Sequence, residues 1–354
     1  MQRTATLGMR TSLATLALVL AASGCSALTT GTSTPSPHSA ATLPAPPAGQ
    51  LVYRRYLDSA QTMGALFVSD TAGTHEVQIT HPATNEIDGD PDWSPDGKRI
   101  LFDKLLDAGS SHEAHQIAVM NADGTGITAL TAGTPGQDTV IPGFDDFPVF
   151  SPDGAHIVYE EASGAANDSG IQHSSIHVMN SDGSGSQLVL AFPDFTAGVG
   201  GLAWSPDGKQ LLYGLINSPS ETPAGGRSFF IVNVDGTGNH QLGSDWTSGD
   251  DGNPAWPAAT NTILFRVVAD EETGLGNYFQ ISPDGTGLKQ VTHYSKTLVG
   301  HKVTISPDGK WIAYGVANSK GVIHVAIARI DGTAARVLRP KTLDTSYADW
   351  SPVP

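Results

Sequence analysis

Along residues 51–354 the apolar positions come in short runs, such as Leu-Val-Tyr at 51–53, Ile-Leu-Phe at 100–102 and Ile-Ala-Val-Met at 117–120, each cut by Gly, Pro or Asp. No stretch after residue 24 keeps an apolar 3.6-residue period for three turns, so the pattern predicts strands rather than helices.

Two runs alternate. One has an Asp-Gly between its halves: "IAVMNADGTGITALT" (117–131), "IHVMNSDGSGSQLVL" (176–190), "FIVNVDGTGNHQLG" (230–243), "FQISPDGTGLKQVT" (279–292) and "VAIARIDGTAARVL" (325–338), with a weaker form at 66–80 carrying Ala72-Gly73. The other has Ser-Pro-Asp-Gly: "PDWSPDGKRILF" (91–102), "PVFSPDGAHIVY" (148–159), "LAWSPDGKQLLY" (202–213) and "VTISPDGKWIAY" (303–314), while "PAWPAATNTILF" (254–265) keeps the length without the turn chemistry. Each run is a predicted hairpin. Proline pre-sets φ for the second turn position, and Asp-Gly tolerates the positive φ of a tight reversal.

Two hairpins in tandem make a four-stranded antiparallel sheet. The residue before the second turn type recurs at Trp93, Phe150, Trp204, Trp256, Ile305 and Trp350, at intervals of about fifty residues, which is the period of a β-propeller blade. The expected fold is all-β, a six-bladed propeller with blades at 51–80 plus 346–352, 90–131, 146–190, 200–243, 252–292 and 302–338. A further "ISPDG" at 281–285 precedes "TGLKQVT", so it belongs to the Asp-Gly hairpin and adds no blade. The chain ends on a first strand, "YADWSPVP" (347–354), and the folded part opens on a second, "LVYRRY" (51–56). Joined in one blade they close the ring and remove its exposed edges.

The pattern x-P-x-W-S-P-D-G-K-x-I-x-Y, followed by a strand closing on D-G-x-x-x-x-L-T, resembles the TolB-type, WD40-like propeller repeat over nearly all of 51–354. Relatives of that kind include the periplasmic TolB propeller, the propeller that gates prolyl-oligopeptidase-type peptidases, and oligogalacturonate lyase. The resemblance implies a fold; one such fold hosts many activities.

Composition sharpens this picture at the N-terminus. Arg3 and Arg10 precede the apolar run "LATLALVLAA" (13–22), which is too short to span a bilayer. "ASGC" (22–25) resembles the lipobox of bacterial lipoproteins, with Ala22 where Leu is commonest. Residues 1–24 are therefore read as a lipoprotein signal peptide and Cys25, the sole cysteine, as a lipid anchor on an extracytoplasmic membrane protein. The alternative is an ordinary secretory signal cut near Ala22. Residues 25–50, rich in Ser, Thr, Ala and Pro, are expected to be a disordered linker. The net charge of −16 argues against nucleic acid and anionic lipid surfaces as partners. A monomer is expected.

Strand parity places the short Asp-Gly and Ser-Pro-Asp-Gly turns on one face, called lower. The irregular connections 104–115, 132–146, 160–175, 191–200, 214–227 and 267–276 fall on the upper face, where binding usually resides. Just before the inner strands stand Asp88, Asp90, Asp145, Asp146, Asp250 and Asp251, with His301 at the matching place. Converging carboxylates call for a divalent cation such as calcium or a positive partner, unless they are merely solvated turn-capping groups. "DGDPD" (88–92) fails as a calcium loop, having Trp93 at the sixth place and Arg99 at the twelfth. "HEAH" (112–115) lacks the helical zinc-protease spacing, and His115 and His177 would share a metal only as neighbours across blades.

No G-x-S-x-G elbow is present, and a gated peptidase would need a further catalytic domain. The expectation is thus a non-catalytic, lipid-anchored propeller binding a protein or cell-envelope component through its upper loops and channel mouth. The alternative is a metal-assisted, lyase-like enzyme acting on a polysaccharide at that mouth.

Overall fold

A computed structural model describes residues 48–110, 114–132, 147–163, 173–192, 197–217, 227–243, 253–270, 275–295, 297–338 and 344–352. The regular elements among them are strands. The first set is β1 (Gln50–Tyr56), β2 (Gly64–Asp70) and β3 (Val77–Gln78), and the second is β4 (Ile87–Trp93), β5 (Arg99–Leu106), β6 (Ala114–Asn121) and β7 (Thr128–Ala129). Next come β8 (Val149–Phe150), β9 (His156–Ser163), β10 (His173–Asn180) and β11 (Gln187–Phe192), then β12 (Ala197–Trp204), β13 (Gln210–Asn217), β14 (Arg227–Asn233) and β15 (His240–Gln241). The chain continues through β16 (Ile263–Asp270), β17 (Leu275–Ile281) and β18 (Lys289–Gln290) to β19 (Val299–Ile305), β20 (Trp311–Ala317), β21 (Ile323–Arg329) and β22 (Arg336–Val337), and closes on β23 (Thr345–Trp350).

Four separate antiparallel sheets run β8–β11, β12–β15, β16–β18 and β19–β22. The remaining strands form one eight-stranded mixed sheet. In it the set β23-β1-β2-β3 meets the set β4–β7 through a single parallel pair, Gly64 beside Ile87. The last strand lies antiparallel to the first, in the register Leu51–Trp350 and Arg55–Thr345.

Apolar side chains fill the spaces between successive sheets. Val52, Leu66 and Val68 meet Trp93, Ile100 and Phe102; Leu101 and Ile117 meet Phe150, Ile157 and Met179; Val158 and Ile176 meet Leu202, Leu211 and Val232. Leu212 and Ile231 meet Trp256, Ile263 and Phe265, and Leu264 and Tyr278 meet Val303, Ile312 and Tyr314. The last sheet then packs on the first, Trp311, Val325 and Ile327 against Leu51, Phe67 and Trp350. Consecutive residues such as Ile100 and Leu101, or Ile263 and Leu264, serve different clusters because strand side chains alternate faces and both faces are covered. This is why the runs read as continuously apolar. The architecture is an all-β propeller.

The two turn types are built as their residues dictate. Ser94 Oγ donates to Asp96 Oδ1 (2.8 Å) and accepts from Arg99 N (2.9 Å), and Gly97 takes φ 68°. Ser151, Ser205 and Ser306 repeat this arrangement. In the other turn, Asp123 Oδ1 accepts from Thr125 N and Oγ1 at 3.0 and 2.7 Å. The "ISPDG" at 281–285 follows this second scheme, with Asp284 Oδ1 accepting from Thr286, and it links β17 to β18. Where Pro257 replaces Ser, the hairpin survives but its first strand shrinks to one bridge, Ala255 to Leu264.

Candidate functional site at the ring axis

Four of the innermost strands share a kink three residues before the recurring aromatic position. Asp90 (φ 43°), Phe147 (φ 44°), Gly201 (φ 68°) and Tyr347 (φ 57°) take left-handed conformations there. The pairing registers shift at Gly89/Asp92, Gly200/Leu202 and Val52/Arg54. Such bulges re-aim a side chain, and here they bring together residues remote in sequence. Asp90 Oδ1 lies 3.0 Å from Lys302 Nζ, and Asp90 Oδ2 accepts from Asn253 Nδ2 at 2.8 Å. Lys302 also donates to Pro91 O at 2.7 Å. All three side chains are buried.

Two residues further along, Asp92 and Asp349 tie neighbouring strands. Asp349 Oδ2 accepts from Trp93 N (2.8 Å) and its Oδ1 from Thr304 Oγ1 (2.7 Å), while Asp92 Oδ2 accepts from Phe150 N (2.8 Å). Both carboxylates line a cavity of about 210 Å³ together with Lys302, Asn253 and Trp256. One ammonium thus faces three carboxylates. Burial pushes the Asp92 carboxyl well above the usual range, the Asp349 charge adds to the push, and Lys302 opposes it. Burial also raises Asp349 against the pull of Lys302. Burial pulls Lys302 down, but Asp90, Asp349 and Asp92 outweigh it and hold the lysine above its ordinary value.

The predicted site residues divide three ways. Asp88 and Asp90 are buried, not a solvated acidic rim. Lys104 sits 3.4 Å from Asp88 and 2.6 Å from Glu86, and burial raises Asp88 despite that lysine. The cation that answers Asp90 is Lys302. Among the described residues, no three His, Cys, Asp or Glu side chains gather as metal ligands. His301 is partly exposed, its ring parallel to Tyr347 within 5° at 6.5 Å. The Arg54 guanidinium lies 4.5 Å from the ring centroids of Tyr347 and Tyr56. Asp145, Asp146, Asp250, Asp251 and Cys25 lie outside the described residues. His115 engages Asp103 at 3.0 Å, and His177 engages Ser175 and the Tyr159 ring.

Sequence reasoning missed Lys302, Asn253, Asp92 and Asp349. The repeated Asp-Trp at 92–93 and 349–350 was the available signal, as was one lysine inside the otherwise uncharged strand "VGHKVTI".

No family model matches the chain. It is 30% identical to dipeptidyl-peptidase 5 of Porphyromonas endodontalis over 118 residues, which are 33% of this chain and 16% of that protein. The crystal structure of TolB from Acinetobacter baumannii superposes with a TM-score of 0.63 at 15% identity, covering 86% of this chain and 66% of that one. The fold is that of a TolB-like β-propeller. The structure of a putative TolB from Agrobacterium tumefaciens gives a TM-score of 0.49 at 18% identity, covering 87% of this chain and 100% of that one. The chain therefore spans less than two thirds of the curated relative and of the Acinetobacter structure. Within this TolB-like frame, Asp90, Asn253 and Lys302 hold the same place, three before Trp93, Trp256 and Ile305.

Proposed function

We propose that the chain is a non-catalytic, extracytoplasmic propeller, tethered through lipid on Cys25, that binds a protein or cell-envelope component through its upper loops and channel mouth. The observation that carries this reading is the internal pairing at the axis. Asp90 is satisfied by Lys302 and Asn253, and Asp92 and Asp349 hold neighbouring strands, so these groups stiffen a frame. Beside this frame lies the half-buried stack of His301 and Tyr347 with Arg54, whose aromatic and cationic character suits a contact surface. A rigid frame of this kind suits display of binding loops.

The same reading counts six blades. The eight-stranded sheet divides at its single parallel pair into two four-stranded antiparallel sets, and six apolar clusters join successive sets around the ring.

Crosslinking in intact cells tests the function. Wild-type protein should be recovered with a partner from the membrane fraction, and the His301→Ala/Tyr347→Ala variant should lose that partner while keeping its melting temperature. Cys25→Ala should leave the chain in the soluble fraction. A folded double variant that retains every partner would move binding away from this mouth.

A further inference from the structure

A second concavity lies on the lower face, away from the axis. Between the β8–β11 and β12–β15 sheets opens a groove of about 750 Å³, within the roughly 300–1,000 Å³ range of ligand pockets. Val189, Trp204 and Val234 contribute apolar lining, and Asp153, Asp207 and Asp235 stand in the turns that border it.

A shorter side chain stands at this groove than at the preceding junction. At the preceding junction Arg99 crosses from its turn to the next sheet, donating to Ser181 O (3.3 Å) and Gly154 O (3.5 Å), with its guanidinium 5.2 Å from the Phe150 ring centroid. His156 holds the equivalent place, its backbone N bonded to Ser151 Oγ as Arg99 N is to Ser94 Oγ. An imidazole cannot span what a guanidinium spans.

The bordering strand also differs from its counterparts. β11 runs six residues, whereas β3, β7, β15, β18 and β22 run two each. Its sequence "QLVLAF" is uncharged, Leu188 is 58% exposed, and β11 ends the hydrogen-bonded order of its sheet.

Charge selects the occupant. Hydrogen bonds from Ser151, Ser205 and Thr237 hold Asp153, Asp207 and Asp235 below the usual carboxylate range, so all three are ionised. Among the described residues, the lining contains no lysine or arginine. Lys209 reaches Asp207 only at 4.0 Å while 80% exposed, an arrangement that neutralises little.

We propose that this groove binds an extended, cationic segment of a partner protein, which lays alternate apolar side chains on the Trp204 lining, sets Lys or Arg against the three aspartates and finds backbone partners on the β11 edge. Strand addition of this kind draws affinity from main-chain hydrogen bonds and specificity from alternate side chains.

The test is a titration of the full chain with the synthetic hexapeptide Lys-Val-Arg-Val-Lys-Val, followed by Trp fluorescence and calorimetry. Glu-Val-Glu-Val-Glu-Val serves as the control and should not bind. His156→Arg, which refills the junction as Arg99 fills its neighbour, should abolish binding with the melting temperature unchanged. Asp153→Asn/Asp207→Asn/Asp235→Asn keeps an acceptor oxygen for each turn and should weaken binding about tenfold or more. His301→Ala/Tyr347→Ala should leave the affinity as it is, so failure here is distinguishable from failure at the mouth. No binding of the basic peptide, equal binding of the acidic one, or affinity that survives His156→Arg overturns the proposal.

Discussion

An ammonium held inside the ring among three carboxylates makes Lys302 the side chain on which most local electrostatics depend. Lys302→Met leaves Asp90 buried beside a methyl group, and loss of one partner of a buried pair costs about 3–5 kcal/mol. Urea denaturation should show that loss, and adding Asp90→Asn should recover part of it; an unchanged midpoint would mean that water replaces the ammonium. Asp92 poses the opposite problem. Its carboxyl is held well above the ordinary value by burial and by Asp349, so it binds a proton more tightly folded than unfolded. Stability contributed by that proton is present at acid pH and is lost as pH rises from the ordinary carboxylate range through the folded value. Asp92→Asn keeps an oxygen for Phe150 N and removes the charge. The variant should melt higher at neutral pH and vary less as pH rises from the ordinary carboxylate range, with a residual slope from Asp349 and Asp88, both also raised. Identical pH profiles would contradict the assignment. Sequence could list these acids but not their partner, since Asp90 and Lys302 stand 212 positions apart and meet only through bulges that no local pattern announces.

At the scale of elements, hairpins were the most legible feature, because proline, Asp-Gly and apolar runs each constrain the backbone locally. The hairpin turns, the out-of-phase "ISPDG" and the pairing of chain ends all followed from that reading. Less visible was a second duty of the Asp-Gly turns. A Cβ on Gly124, at φ 85°, would lie 2.2 Å from Ile79 O of the preceding blade, and one on Gly332 would lie 2.1 Å from Val291 O. These glycines answer to contact between blades as well as to φ. A Cβ on Gly208, in the Ser-Pro-Asp-Gly turn, would meet Pro152 Cδ only at 3.8 Å. Gly124→Ala should therefore cost about 2–4 kcal/mol and Gly208→Ala only about 1 kcal/mol, the backbone term alone. Equal losses in a denaturant series would mean that the close approach is relaxed at little cost.

For the whole molecule, the repeat made the fold readable while the site stayed largely hidden. Periodicity reports what every blade shares, whereas Asp90, Asn253 and Lys302 matter because they differ at one shared position. The groove beside β11 likewise accompanies a departure, a histidine where another blade has arginine. Each of these sites presupposes a ring in which β23 lies beside β1, and that pairing can be measured directly. In a Cys25→Ala background, Arg55→Cys and Thr345→Cys occupy register partners across the two strands. Mild oxidation should convert both thiols to one intramolecular disulfide, and the oxidised form should be more stable than the reduced form by about 5–6 kcal/mol, as the loop-entropy relation gives for a link enclosing almost the entire folded chain. Thiols that stay free under oxidant, in a protein that still melts cooperatively, would show that the chain ends do not meet.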